Sequence, residues 1–274
     1  MARITAEKRK TTTEHMEVAE NDARLVQGLS RGLSVLKAFQ PGDSSLSNTE
    51  LALRTGLPKS TVSRLTQTLT ALGYLSYWSG PGRYALGAGI LALCHSLLVS
   101  MPFRLVAKPI LQKLANFASL PVSLATRDQL DMLYIETAHR RGARPARFEL
   151  GARLPIDTTS MGRAYLFAAS PSERKIVLER LRRERDPASW PPIETGLERA
   201  FDELERRGFC CSFGDWRSDV HGVAAPIRAR EGAVFAINCG GPPARASQAF
   251  LENEMGPRLA AAAAEIAEGL ARQY

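Results

Sequence analysis

The chain has few cysteines, few histidines and no long apolar run among its 274 residues. Its four cysteines lack zinc-finger spacing, so free thiols are the simplest interpretation. The longest apolar run, residues 86–101, is shorter than the roughly 20 residues that span a bilayer. Residues 1–20 are polar and lack a signal-peptide pattern, so we expect a disordered arm and a cytoplasmic protein. A zinc site is the less favoured alternative for Cys210, Cys211, Cys239 and His221; we predict no metal and no cofactor.

Acidic residues are scarce in the N-terminal part of the chain. Residues 22–86 carry seven basic and three acidic side chains, a net charge of +4, whereas the whole chain carries +8. A basic domain associates faster with phosphate backbones, in a salt-dependent way. Membrane surfaces attract the same charge, so this pattern supports nucleic-acid binding without proving it.

Residues 46–87 have the pattern of a winged helix-turn-helix. Ser47 and Glu50 have the spacing of a capping box, which predicts a helix start at this point. Gly56 suits the left-handed end of that helix, and Pro58 prevents its continuation. The apolar side of this helix and turn is predicted to consist of Leu51, Leu53 and Leu57.

A second helix is predicted from about Lys59, and it has the pattern of a recognition helix. Its buried face is predicted to be Val62, Leu65, Leu69 and Leu72. The opposite face has no carboxylate and can therefore approach DNA without repulsion. Arg64 suits a guanine edge and Gln67 an adenine edge. The full set of predicted DNA contacts on this face is Lys59, Ser60, Thr61, Ser63, Arg64, Gln67 and Thr68.

Two short segments with apolar residues at every second position flank residues 79–82, and this pattern predicts a hairpin wing. Arg83, beside the tip, is a predicted phosphate or minor-groove contact. Trp78 is predicted to pack beneath the hairpin rather than to stack on a base. The alternative for the whole segment is a small helical subdomain with a solvated polar face.

Two further helices are predicted around this segment. An apolar pattern predicts a bracing helix over residues 21–39, and residues 87–100 predict a linker helix that is too apolar to stand alone in water. We interpret the linker helix as buried against a second copy; the alternative is packing on the chain's own second domain. A dimer is favoured because one helix-turn-helix reads only a few base pairs.

From residue 102 helices and strands alternate, and a late run of strands suggests one sheet covered by helices, an α+β fold. Predicted helices cover 105–117, 159–169, 171–183, 194–207 and 248–273. Predicted strands cover 122–127, 132–137, 209–213, 222–228 and 233–239, with a further candidate at 147–150.

The segment 157–163 is the best candidate for a ligand site. It precedes a helix, so unpaired amide donors and the positive end of the helix dipole favour a carboxylate there. Thr158, Thr159 and Ser160 add hydroxyl groups. Ordinary helix capping is the alternative explanation for these residues.

With both halves read, the chain resembles the IclR family of bacterial transcriptional regulators. The resemblance rests on LSRGLSVLKAF at 29–39, ELALRTGLPKSTVSRLTQTLTALGYL at 50–75, GRYALG at 82–87, GARLPIDTTSMGRAYLFA at 151–168, LERRGF at 204–209, GVAAPI at 222–227 and AINCGGP at 236–242. It implies a winged helix-turn-helix domain at 21–87, a linker helix at 88–101 and a GAF-like effector-binding domain at 102–274. It also implies a dimer or tetramer.

The resemblance further implies a small, often acidic, effector. Carried over by position, the contacts are Ser160 and Met161 at the helix start, Asn238 and Gly240 on the last strand, and Ser212 or Asp215 before it. Thr159 and Gly222 complete the predicted effector site. Because Gly222 and Gly240 have no side chain, we expect them to leave more room in the effector site, which would suit a larger acid.

Two other functions compete with a ligand-responsive DNA-binding regulator. An enzyme could use Ser160 as a nucleophile with His139 or His221 as base, but the motif around Ser160 lacks the leading glycine of a nucleophile elbow. An architectural DNA-binding protein would need no ligand, and the large second domain argues against it. We therefore predict a regulator and no enzyme; effector, target operon and direction of regulation stay open.

Overall fold

The computed structural model describes residues 26–101, 103–140, 142, 149–229 and 232–271. The chain divides into two compact units, Met1–Ser100 and Met101–Tyr274. The predicted arm at 1–20 and the predicted start of the first helix lie outside the described residues, as do residues 147 and 148 of the candidate strand at 147–150. Residues 149 and 150 of that candidate are described and are not in a strand.

The first unit contains a helix-turn-helix and a three-stranded wing. Its helices are α1 (Gln27–Lys37), α2 (Asn48–Thr55), α3 (Lys59–Ala71) and α4 (Ala88–Val99). Its strands are β1 (Leu46–Ser47), β2 (Leu75–Trp78) and β3 (Arg83–Leu86), which form an antiparallel sheet in the order β1-β3-β2.

The predicted capping box at the start of α2 is confirmed. The Ser47 hydroxyl oxygen accepts the Glu50 N–H at 3.2 Å, and the Glu50 carboxylate accepts the Ser47 N–H at 2.7 Å. Gly56 ends the helix with a φ of +73°, the left-handed conformation that glycine adopts without a Cβ penalty. Local capping chemistry therefore defines both ends of this helix.

The capping box at the start of α2 should lose its stabilising effect at low pH. Hydrogen bonds from the Ser47 backbone and hydroxyl, and then from Arg83, lower the pKa of Glu50 from 4.5 to about 2. A lowered folded-state pKa means that ionised Glu50 stabilises the fold above pH 4.5 and loses this effect as the pH falls through about 2. We expect the ¹³C chemical shift of the Glu50 carboxyl group to titrate with a midpoint near pH 2 in the wild type. In Arg83→Gln the midpoint should lie closer to 4.5, the ordinary pKa of glutamate. A wild-type midpoint at 4.5 contradicts the prediction.

The core of the first unit is formed by one face of each of the helices α1, α2 and α3. Val35, Leu51 and Val62 are fully buried. Two predicted core residues are not: Leu53 is 66% exposed and Leu72 is 63% exposed. Leu53 follows Leu51 by two positions, about 200° around a helix, and therefore faces the other side. Leu72 lies just beyond the last residue of α3, where the chain turns into the wing.

Apolar side chains are exposed on two helices of this unit. Val26, Leu29 and Leu33 of the α1 region are 71%, 64% and 48% exposed. No residue of α4 is buried in the single chain, and Leu91 is 73% exposed. Among the described residues no single helix is long and apolar enough to span a membrane; only the consecutive segments 88–99 and 103–118 taken together reach that length and composition.

The second unit contains one antiparallel sheet of six strands in the order β6-β5-β4-β9-β8-β7. Its strands are β4 (Val122–Asp128), β5 (Asp131–Ala138), β6 (Arg153–Pro155), β7 (Cys210–Phe213), β8 (His221–Arg228) and β9 (Val234–Gly241). Its helices are α5 (Phe103–Ala118), α6 (Ser160–Ala168), α7 (Pro171–Glu184), α8 (Trp190–Arg207) and α9 (Gly256–Ala271). The predicted α+β class is confirmed.

Helices cover both faces of this sheet. Leu111 of α5 and Leu259 of α9 pack with Leu124 and Ile237 on one face. Met161 of α6 and Leu181 of α7 pack on the other face. Alternate residues of each strand therefore enter different cores, because neighbouring side chains on a strand point to opposite faces.

The C-terminal helix is interrupted, unlike the continuous helix predicted over 248–273. A short helical turn at Gln248–Phe250 leads into a π-helical segment, Leu251–Met255, before α9. The ring of Phe209 lies against the backbone of Gly256, where any Cβ would clash with it. The wider π turn therefore coincides with the place where an aromatic ring packs on the helix backbone.

Candidate functional site

The predicted recognition face lies on the outside of α3. Lys59, Ser60, Arg64, Gln67 and Thr68 are exposed, whereas Thr61 and Ser63 are half-buried. Among the described residues no carboxylate forms an ion pair with Lys59 or Arg64. Two cations are thus available to an external anion. The Thr68 hydroxyl donates to the Arg64 carbonyl at 3.0 Å, so its hydrogen is already used within the helix.

In the wing, Arg83 is held against the start of α2. Its Nε donates to the Ser45 hydroxyl at 2.9 Å, one Nη donates to the Ser45 carbonyl at 2.8 Å, and it pairs with Glu50 at 2.9 Å. Arg83 therefore joins the wing to the helix-turn-helix, and its DNA contact stays a prediction.

The prediction that Trp78 packs beneath the hairpin is wrong. Trp78 is 50% exposed and is the cross-strand partner of Arg83. Tyr77 is also 50% exposed, but it lies on the same face of β2 as the buried Leu75, and its ring meets that of Tyr84 at 4.9 Å between centroids. Strand alternation therefore places Trp78 on the outer face of the wing.

In the second unit, the start of α6 lies against strand β7. The Thr159 hydroxyl caps the helix by accepting the Gly162 N–H at 3.2 Å and donates to the Pro155 carbonyl at 2.7 Å. The Ser212 hydroxyl donates to the Thr158 carbonyl at 3.1 Å. The hydroxyl oxygen of Thr158 is buried without a hydrogen-bond partner. Ordinary capping therefore accounts for Thr159 but not for Thr158.

Asn238 projects from the same face of the sheet. Its amide nitrogen donates to the Tyr134 hydroxyl oxygen at 3.1 Å, and burial raises the pKa of Tyr134 to about 12. Tyr134 is thus a neutral phenol beside the predicted site. No local sequence pattern indicates Tyr134, because 104 residues separate the two partners along the chain.

The two glycines of the predicted site allow close packing and do not leave open space. A Cβ at Gly222 would lie 3.0 Å from the Ser160 hydroxyl oxygen. A Cβ at Gly240 would lie 2.7 Å from the His221 carbonyl oxygen. The expectation that these glycines leave room for a larger ligand is therefore corrected: they let the α6 start and the strands approach each other.

Asp215 binds arginines of the protein itself. Its carboxylate pairs with Arg163 of α6 and, at 2.6 Å, with Arg199 of α8. Arg163 is only 1% exposed, and its Nε also donates to the Asp157 carbonyl at 3.1 Å. The Asp157 carboxylate in turn pairs with Arg185 at 2.6 Å. Asp215 therefore neutralises a buried cation, a role that no local sequence pattern indicates because the two residues lie 52 positions apart.

Comparison with known proteins identifies the chain. Residues 28–77 match the IclR helix-turn-helix domain, and residues 95–268 match the bacterial transcriptional regulator IclR C-terminal domain. The chain belongs to the IclR family. This IclR protein is 32% identical over 248 residues to the HTH-type transcriptional regulator TsaQ1/TsaQ2 of Comamonas testosteroni, covering 89% of this chain and 88% of that one.

Other IclR proteins are similar over most of their length. The Pca regulon regulatory protein of Pseudomonas putida is 28% identical, with 91% of this chain and 86% of that one covered. The crystal structure of an IclR family transcriptional regulator from Brucella abortus is 42% identical, with a TM-score of 0.80 over 91% of this chain and 94% of that one. Transcriptional regulation and DNA binding are thus the activities of this family, and an effector-binding domain is part of it.

Three cysteines of this IclR protein are buried, whereas Cys94 is exposed, and His139 and His221 have partners within the protein. Strand alternation places Cys210 on the α6 face and Cys211 and Cys239 on the opposite face, and burial raises the pKa of both Cys211 and Cys239 to about 12. His221 Nδ1 donates to the Ala246 carbonyl at 2.9 Å, and His139 pairs with Glu149 at 2.9 Å. The described residues contain no group of three metal-ligating side chains.

Proposed function

We propose that this IclR protein binds operator DNA through the outer face of α3. The observation that supports this most is the pair of exposed cations, Lys59 and Arg64, on a face without a carboxylate. Arg64 would donate to a base edge, and Gln67 would contact a neighbouring base. Lys59, Ser60, Thr61, Ser63 and Thr68 would position the phosphate backbone, with Arg83 on the wing side.

We propose further that the protein binds DNA as a dimer or a dimer of dimers. The exposed leucines of α4 would be covered by a second copy, because an apolar helix of this kind is costly to leave in water. Two copies would also present two recognition helices to two half-sites of an operator.

Footprinting on the DNA that flanks the protein's own gene tests both proposals together. We expect two protected half-sites whose centres are about 10 base pairs, or a multiple of that, apart. Light scattering of the complex should give an even number of chains. A protein that protects no sequence above the background of random DNA, or that binds as a single chain, contradicts the proposals.

The start of α6 is the proposed effector site, and a small carboxylate is its proposed ligand. First-turn N–H groups have no intrahelical acceptor and attract an anion, and the Thr158 hydroxyl is buried without a partner beside them. Ser160, Met161, Ser212 and Asn238 would complete the site. Relatives named for acids support this class: the p-hydroxybenzoate hydroxylase transcriptional activator of Acinetobacter baylyi and the acetate operon repressor of Salmonella typhimurium.

Binding at this helix start would regulate DNA binding by shifting populations. An effector changes operator affinity only if it binds one arrangement of the dimer better than another, and DNA then changes effector affinity by the same factor. Regulation of this kind requires binding and no chemical reaction, so no residue of the site is given a catalytic role.

Thr158→Val tests the effector site, since it replaces a hydroxyl that makes no hydrogen bond in the folded chain. We expect aliphatic and aromatic carboxylates, screened by thermal shift, to include at least one that raises the Tm of the wild type, and this shift to fall in Thr158→Val. Thr70→Val is the matched control, because Thr70 also has a buried, unpartnered hydroxyl but lies in the DNA-binding unit. An equal loss in both variants would falsify the assignment.

A further inference from the structure

Two arginines meet at the C-terminal end of α6, the end opposite the proposed effector site. Arg174 lies in the first turn of α7, and Arg228 is the last residue of β8. One Nη of Arg174 donates to the Phe167 carbonyl at 2.7 Å, and one Nη of Arg228 donates to the same oxygen at 3.0 Å. Arg228 Nε also donates to the Ala168 carbonyl at 3.1 Å. Sharing one acceptor holds the two positive charges side by side.

Among the residues that the structure describes, no carboxylate pairs with either of these two charges. Neither Arg174, which is half-buried, nor Arg228, which is exposed, belongs to any ion pair among the described residues, whereas the buried Arg163 has one. Burial and the charge of Arg228 lower the pKa of Arg174. The Nε–H of Arg174 is buried without an acceptor. Helix-end carbonyls carry only a partial negative charge, so they offset part of this positive charge.

Aromatic rings hold the guanidinium groups in place. Arg174 lies over the ring of Phe201 at 5.1 Å, and Arg228 lies over the ring of Phe167 at 5.5 Å. The two rings pack together with 5.9 Å between their centroids. Stacking orients the planar donor groups before any ligand arrives, which reduces the entropy lost on binding.

We propose that Arg174 and Arg228 form a binding site for a dianionic phosphate group, either inorganic phosphate or a phosphomonoester. Two adjacent guanidinium groups match the charge of the dianion and offer paired N–H donors to its oxygens. The site is separate from the proposed effector site, because the nine residues of α6 place roughly 13 Å between the two ends of the helix.

Calorimetric titration of the full-length protein, in chloride buffer at constant ionic strength, tests this proposal with inorganic phosphate and with glycerol 3-phosphate. We expect one site per chain for at least one of the two compounds, and the tighter of the two identifies the source. Arg228→Gln should weaken binding roughly tenfold or more, since charge-assisted hydrogen bonds are lost. Arg228 is exposed, so this variant should keep the wild-type circular dichroism spectrum.

Arg258→Gln is the matched control. Arg258 also lies over a phenylalanine ring, Phe117 at 4.1 Å, and also donates to a backbone carbonyl, but among the described residues no second arginine donates to that carbonyl. Binding should be unchanged in this variant. Two results overturn the proposal: neither compound binds above the chloride background, or Arg228→Gln binds both as tightly as the wild type does.

Discussion

Asp215→Ala should destabilise the second unit by about 3 to 5 kcal/mol, because it leaves the charge of Arg163 buried without a counter-ion. The Arg163 side chain is 1% exposed, and Asp215 is its carboxylate partner among the described residues. Removing one member of a buried ion pair costs more than the pair contributes, since the remaining charge cannot recover its hydration. Urea unfolding followed by circular dichroism measures this loss.

Arg199→Ala is the control for this experiment. Arg199 pairs with the same carboxylate but is 53% exposed, so we expect a loss of no more than about 1 kcal/mol. If both variants lose the same small amount, Arg163 is not held by Asp215 in solution. The experiment also separates two roles for Asp215, because a pure effector contact would leave the stability of the ligand-free protein unchanged.

Arg64→Ala should weaken specific operator binding by about 1 to 3 kcal/mol, or roughly 5- to 150-fold, if its guanidinium reads a guanine edge. Arg64 is exposed and has no ion pair among the described residues, so its removal leaves no buried charge in the free protein. Gel-shift titrations with the footprinted operator and with random DNA of equal length measure the loss. Discrimination between the two DNAs should decrease along with affinity.

Lys37→Ala removes the same charge from the same unit, but from the end of α1. It should lower both affinities slightly and leave discrimination unchanged, because long-range attraction to phosphates does not depend on sequence. Equal effects of Lys37→Ala and Arg64→Ala would show that α3 contributes charge only, and would remove Arg64 from the base contacts.

The DNA-binding unit was largely predictable because its signals are local. Capping by Ser47 and Glu50, the left-handed Gly56 and the start of α3 at Lys59 each depend on residues a few positions apart. The wrong predictions in this unit concern the side of a helix or strand on which a residue lies. The sequence predicts packed positions for Leu53 and Trp78, whereas helix rotation and strand alternation place both outside.

The candidate effector site was predictable only in part. The helix start at Ser160 and its cap at Thr159 are local features, and the structure contains both. The contacts of Asn238 with Tyr134 and of Asp215 with Arg163 join residues 104 and 52 positions apart, and no local pattern encodes them. The same holds for Gly222 and Gly240, whose structural role depends on which atoms of another element approach them.

The sequence by itself determined most of the helices and strands, the acid-free face of α3 and the family, because periodicity, caps and motifs are properties of neighbouring residues. It did not predict the short strands β1 and β6, which are defined by their pairing with other strands. Only the tertiary structure decided which charged side chains form ion pairs or hydrogen bonds within the protein and which do not. Arg64 and Arg83 look alike in the sequence, yet within the described part of the chain Arg64 has no ion pair, whereas Arg83 is held by Ser45 and Glu50. Likewise, Arg163 has a carboxylate whereas Arg174 and Arg228 share a carbonyl. Packing brings distant side chains together, and that proximity assigns each charge its partner.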